Sequence, residues 1–207
     1  MKKTILTILA ALTAAMAFGQ TPEEVITRMG EEMDKHEKEG LSMVVDVKVP
    51  IVGTLSTKMY ALGDKARMEA AVAGIDIITW VDKENQWEYN TKTQEVIIQK
   101  LDPKTTAGST DNMEMFDDIA DGYDVSIASE TPQAWTIRCK KQKTNKDKDA
   151  PKTIDLVVAK GTYLPISLST SMMGVSIKMH SLALGVTDSQ VTFNAAEFPD
   201  ATIDDRR

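Results

Sequence analysis

The chain has 207 residues, 42% hydrophobic and 27% charged, a balance that suits one moderate globular domain and excludes a disordered chain. Its formal net charge of −7 argues against nucleic acid or an anionic membrane as partner, because both select basic surfaces. Cys139 is the only cysteine, so no intrachain disulfide forms and packing must supply the stability.

Residues 1–19 read as a secretory leader. Lys2 and Lys3 open it, "TILTILAALTAAMAF" supplies a short apolar run, and Ala17 and Gly19 fit a signal-peptidase site with a mature start near Gln20. A buried N-terminal helix is the other reading of that run. The run is too short to span a bilayer comfortably, and no later segment is apolar enough to do so. No cysteine lies near the cleavage site to carry a lipid. The expectation is a secreted, periplasmic protein, with residues 20–207 as one domain. Loss of Lys2 and Lys3 takes its net charge to −9.

The domain opens with a helix, "TPEEVITRMGEEMDKHEKEG". Thr21 is the N-cap, Pro22 presets the first turn and Glu24 completes a capping box. Val25, Ile26, Met29 and Met33 recur on one face, and Gly40 ends the helix. The period then changes to two. Met43, Val45, Val47 and Val49 alternate with polar neighbours, and "TLSTKMYALGDKARMEAAV" reads as two strands turning at Gly63-Asp64.

The next hairpin, "IITWVDKENQWEYN", concentrates three aromatics. If Asp82-Lys83-Glu84 is the loop, Val81 faces Asn85, Thr79 faces Trp87 and Ile77 faces Tyr89. Ile77, Val81, Trp87 and Tyr89 then share an inward face, while Asp76, Ile78 and Trp80 lie outward. A two-residue turn would change this pairing.

"EVIIQKL" continues the meander. After the polar "DPKTTAGST" comes a short helix candidate, "DNMEMFDDIA", with Met113, Phe116 and Ile119 on one side. Five further strands follow: "YDVSIA", "AWTIRCK", "TIDLVVA", "YLPISLS" and "VSIKMHSLAL". Their apolar phase holds Leu164, Ile166 and Leu168, then Val175, Ile177 and Met179, and earlier Met68 with Ala70. The predicted fold is mainly β: an incomplete antiparallel barrel of 10–11 strands, with an N-terminal and a short central helix over its concave face. Lys140 to Lys152 is the only basic run; it reads as a solvated hairpin loop or as a docking loop for an acidic partner.

Catalytic signals are absent from the pattern. His36 and His180 have no partners at metal-ligand spacing, and Cys139 shares the phase of Trp135 and Ile137 as a buried small hydrophobe. No phosphate loop, nucleophile elbow or calcium loop occurs, so no enzyme and no cofactor is expected. An oily face with few helices to cover it instead suggests an apolar ligand. Ten of the twelve methionines lie beyond the leader, Met29, Met33 and Met113 among them; they either fill the core or adapt to cargo.

The hairpin with its "WEYN" and the following "TQEVIIQKL" resemble the corresponding segment of bacterial outer-membrane lipoprotein carriers, the LolA-like family. The ending "VTFNAAEFPDATIDDRR" is similar to that family's, through Phe193, Pro199, Ile203, Asp204, Asp205 and Arg206. The resemblance implies an unclosed barrel whose hydrophobic cavity carries lipoprotein acyl chains across the periplasm as a monomer. It also implies an inner-membrane donor complex and an outer-membrane acceptor. Met29, Met33, Met68, Ile77, Val81, Trp87, Tyr89, Met113 and Phe116 are the candidate lining, with Leu164, Ile166, Leu168, Val175, Ile177 and Met179. One departure stands out: Gly63-Asp64-Lys65 occupies the turn where the resemblance implies an Arg-Pro lid latch, and Lys65 and Arg67 are the only nearby candidates to replace it, without a pattern that assigns either the role. The alternative on this fold is a lipid-binding sensor or interaction module whose cavity is small or filled; a lipid hydrolase is a third.

Overall fold

The structure, a computed structural model, describes residues 19–101 and 119–207. Residues 1–18 of the leader and 111–118 of the central helix candidate, with Met113 and Phe116, lie outside the described residues, while Ile119 is buried in the core.

Helix α1 spans Pro22–Lys35 and begins as its sequence dictates. The Thr21 hydroxyl accepts from the Glu24 amide, and the Glu24 carboxylate accepts in return from the Thr21 amide. A 3-10 turn, Glu37–Glu39, leads to Gly40 at φ 70°. There a Cβ would sit 2.6 Å from the Ala61 carbonyl oxygen, so only glycine fits.

The strands are β1 Leu41–Val49, β2 Gly53–Leu62, β3 Lys65–Val72, β4 Ile75–Val81, β5 Asn85–Asn90, β6 Glu95–Lys100, β7 Tyr123–Glu130, β8 Ala134–Lys141, β9 Thr153–Ala159, β10 Pro165–Met172, β11 Val175–Leu184 and β12 Thr202–Asp205. A four-residue helix α2, Asp188–Val191, and a 3-10 turn, Ala195–Glu197, precede β12. All twelve form one unclosed sheet in the order β12-β6-β5-β4-β3-β2-β1-β11-β10-β9-β8-β7. Every pairing is antiparallel except β12 on β6, which is parallel. This last strand exceeds the expected 10–11, and it lies inside the C-terminal segment that carried the family resemblance.

Alternation assigns each side chain to a face. The inner face is the one that α1 covers. Val25, Ile26, Met29 and Met33 pack there with Leu41 and Met43 of β1, Trp135, Ile137 and Cys139 of β8, Leu156 and Val158 of β9, and Leu168 of β10. At the corner after β9, Tyr163 stacks on Trp135 at 5.5 Å and accepts a 3.0 Å hydrogen bond from Arg28 of α1.

The aromatic hairpin obeys a different register from the expected one. Asp82 Oδ1 accepts from the amides of Glu84 at 2.8 Å and Asn85 at 2.7 Å, and the Asp82 amide donates to the Asn85 carbonyl. Its side chain thus closes a two-residue tip, Lys83-Glu84. Val81 therefore faces Gln86, Trp80 faces Trp87, and Ile78 faces Tyr89. A slip of one residue sends β5 to the opposite face. Trp87 and Tyr89 lie outward with Trp80, not inward with Ile77 and Val81.

That outward face is a second packed layer. Trp80, only 2% exposed, meets Phe193 and Phe198 edge-on at 5.4 and 5.6 Å. Trp87 stacks on Phe193 at 5.9 Å and Tyr89 meets Phe198 at 4.5 Å. Val96 and Ile98 of β6 are buried on the same face. The C-terminal segment covers this end of the sheet as α1 covers the other, on the opposite side.

Candidate functional site

The inner face is the continuous apolar surface of the molecule. Cross-strand partners carry it from β10 through β11 and β1 to β4: Leu168 faces Met179, Val45 faces Met179 and Thr57, Met59 faces Met68, and Ala70 faces Ile77. Val175 and Ile177 extend it toward the β10–β11 tip. Of the expected lining, Met29, Met33, Met68, Ile77, Val81, Leu168, Val175, Ile177 and Met179 share this face. Leu164 packs against its core. Ile166 does not belong there: a register shift between Pro165 and Ser167 turns it out, 45% exposed. Trp87 and Tyr89 are excluded by the hairpin register.

Met29 and Met33 are essentially fully buried beneath α1, so these two methionines are core. The open part of the face begins beside them. A cavity of about 140 Å³ is lined by Met33, Leu41, Leu164, Pro165, Leu182, Ala183 and Leu184. An apolar cavity near 150 Å³ has room for a benzene-sized guest. At that volume it has room for a short apolar group rather than a whole acyl chain. A larger depression of about 420 Å³ on the far side of β2–β4 carries Ser56, Lys58, Glu69 and Asp76, chemistry unsuited to a hydrocarbon.

Neither latch substitute reaches α1. Lys65 donates to Asp188 at 2.6 Å and to Thr192 at 3.0 Å, tying α2 to the β2–β3 turn. Arg67 pairs with Glu69 at 2.8 Å and lies 5.2 Å above the Trp80 ring. Both are outer-face residues, so they hold the C-terminal layer.

One polar constellation escaped the sequence pattern because its members are far apart in the chain. Asp46 accepts from Ser56 and lies 3.0 Å from His180 Nε2, while His180 Nδ1 lies 2.9 Å from Ser181 Oγ. The Ser56 hydroxyl first, then His180, hold the Asp46 carboxyl below its ordinary value. The residue types are those of a nucleophilic triad. Here, however, they sit on the open outer surface of adjacent strands, with Ser181 exposed. They act as a cross-strand tie. Cys139 is equally unreactive: burial pushes its thiol up to about 11.

Comparison with solved structures supports this architecture. LprF from Mycobacterium bovis shares the fold, with a TM-score of 0.51, 10% identity, and coverage of 84% of this chain and 98% of that one. A LolA superfamily protein from Nitrosomonas europaea matches at 7% identity over 86% of this chain and all of that one, with a TM-score of 0.33. MucB from Pseudomonas aeruginosa, solved in complex with MucA, matches at 9% identity over 82% of this chain but 61% of that one, with a TM-score of 0.46. No family model and no curated protein sequence matches. At 10% identity the fold shared with LprF is all that the comparison carries, and the ligand is a separate question.

Proposed function

We propose that this protein binds the acyl chains of a lipid or lipoprotein on its inner face and carries them through the periplasm. Residues 1–19 would be the export leader and residues 20–207 the carrier domain. A donor at the inner membrane and an acceptor at the outer membrane complete the route that the family resemblance implies. The observation that carries the proposal is the apolar inner face running on from α1 across β1 to β4, with an apolar cavity beside Met33. Burial of an acyl chain contributes roughly 0.8 kcal/mol per CH₂, so a few methylenes in the cavity give only weak binding. Useful affinity needs the chain to run on along Met59, Met68 and Ile77.

A second reading, a sensor or interaction module that does not transport, is favoured by the complete burial of Met29 and Met33. Native mass spectrometry of protein taken from its own periplasm tests the first reading by co-purified lipid or lipoprotein. A fluorescent fatty acid titrated into the purified protein gives the second arm. Leu184→Glu should weaken that probe at least tenfold. No lipid in the spectrum and no probe binding by the unsubstituted protein would overturn the carrier reading.

A further inference from the structure

The most exposed apolar residues are not scattered. Register places three neighbouring hairpin tips at one end of the sheet: β3–β4, β1–β2 and β10–β11. Ile51 is 107% exposed, and Val52 and Met173 are each 83% exposed. Val72 and Leu55 continue the patch just behind them. Four turns at the opposite end carry Gly63-Asp64, Lys83-Glu84, Thr131–Gln133 and Lys160–Gly161 instead. The three most exposed apolar residues thus all stand at this rim, while Ile166 and Ile203, 45% and 51% exposed, stand singly elsewhere.

The backbone sharpens the point. Ala73-Gly74 and Met173-Gly174 are two-residue loops with φ positive at both positions, the type I′ geometry that favours Asn-Gly. Ile51 adopts φ 71°, a true outlier for a β-branched residue. Local stability would replace Ile51 and Met173 by asparagine. Their presence at full exposure needs a reason outside the folded monomer.

Charge identifies the occupant. The next loop along the same end joins β8 to β9 and includes exposed Lys143, Lys146, Lys148 and Lys152 against Asp147 and Asp149. Lys152 lies at the same depression as Ser171 and Ser176, beside the Met173 tip. Lys92 stands at the β5–β6 turn on the other flank. Basic flanks around apolar points on an otherwise acidic chain match a bilayer with anionic headgroups. Separate protruding points suit a fluid interface, whereas a protein partner is matched by a continuous surface.

We propose that this rim docks the protein on anionic lipid bilayers, with Ile51, Val52 and Met173 inserted to the headgroup–acyl boundary and the β8–β9 lysines on phosphates. The inference stands apart from the acyl-binding reading. Net charge for the whole chain hides it because the four exposed lysines of the β8–β9 loop are outnumbered by carboxylates elsewhere.

Co-sedimentation of the purified protein with vesicles tests it, using pure phosphatidylcholine against phosphatidylcholine mixed with phosphatidylglycerol. The expected result is binding to the anionic vesicles at least tenfold stronger than to the neutral ones, weakened in high salt. The double variant Ile51→Asn, Met173→Asn should lose at least tenfold of that binding while its melting temperature is held or raised. A Met173→Trp variant should shift its emission to the blue on anionic vesicles and be quenched by brominated lipid. Absence of vesicle binding, binding that the asparagine pair leaves unchanged, or a tryptophan probe at that tip untouched by brominated lipid would each overturn the proposal. Capture of an acidic protein in place of vesicles would do the same.

Discussion

Removing the Trp80 side chain tests the two-layer arrangement most directly. Trp80 is 2% exposed and touches both Phe193 and Phe198. An aromatic side chain of its class buries about 150–250 Å², which at about 25 cal/mol per Å² corresponds to roughly 4–6 kcal/mol. Compactness of the unfolded chain makes this an upper bound, and large-to-small substitutions of buried Trp cost about 3–5 kcal/mol. Trp80→Ala should therefore destabilise by about 3–5 kcal/mol, or roughly 6–20 °C in Tm for a domain of this length. Urea unfolding followed by far-UV circular dichroism measures the first quantity without depending on tryptophan emission. A double-mutant cycle with Phe193→Ala isolates the contact itself, with an expected coupling of about 0.5–1.5 kcal/mol. Had Trp80 lain on the opposite face from Phe193, the two substitutions would add within about 0.3–0.5 kcal/mol. Additivity of that kind, or a Trp80→Ala cost below about 1 kcal/mol, refutes the packing of Trp80 against Phe193 in an outer aromatic layer.

Gly40→Ala meets both a positive φ and the Ala61 carbonyl, and should cost more than about 1 kcal/mol in the same unfolding assay. Met29→Ala removes a fully buried side chain from the helix contact and should cost about 2–5 kcal/mol by urea titration. The Asp46 carboxyl is lowered below its ordinary 3.8, so its stabilisation is fully present above that value and fades as pH falls through the lower folded value. Tm measured from pH 5 downward should accordingly fall less steeply for Asp46→Asn than for the unsubstituted protein. Cys139, with its thiol raised to about 11 and its side chain fully buried, should resist iodoacetamide at pH 8 and react once urea unfolds the chain, as mass spectrometry would show.

Sequence alone determined whatever is written locally. Thr21, Pro22 and Glu24 specify the start of α1 because a capping box satisfies orphan amides within one turn. The phase of most strands was equally legible, since alternation needs no knowledge of neighbours, though the irregularity that turns Ile166 out of β10 was not. Gly63-Asp64 marked its turn through glycine's access to positive φ. Tertiary structure alone decided how those phases meet. The Asp82 side chain shortened one turn, and that single residue moved Trp87 and Tyr89 from the expected cavity wall to an outer aromatic layer. The partners of that layer, Phe193 and Phe198, are about a hundred residues away and show no periodicity that would announce them. β12 is four residues long and pairs in parallel, too short for alternation to reveal. The apolar rim has the same origin. The basic run of the β8–β9 loop was visible in the sequence, but Ile51 and Met173 carry no signal in their own turns, and all become one surface only when the sheet brings three tips and a loop to the same end.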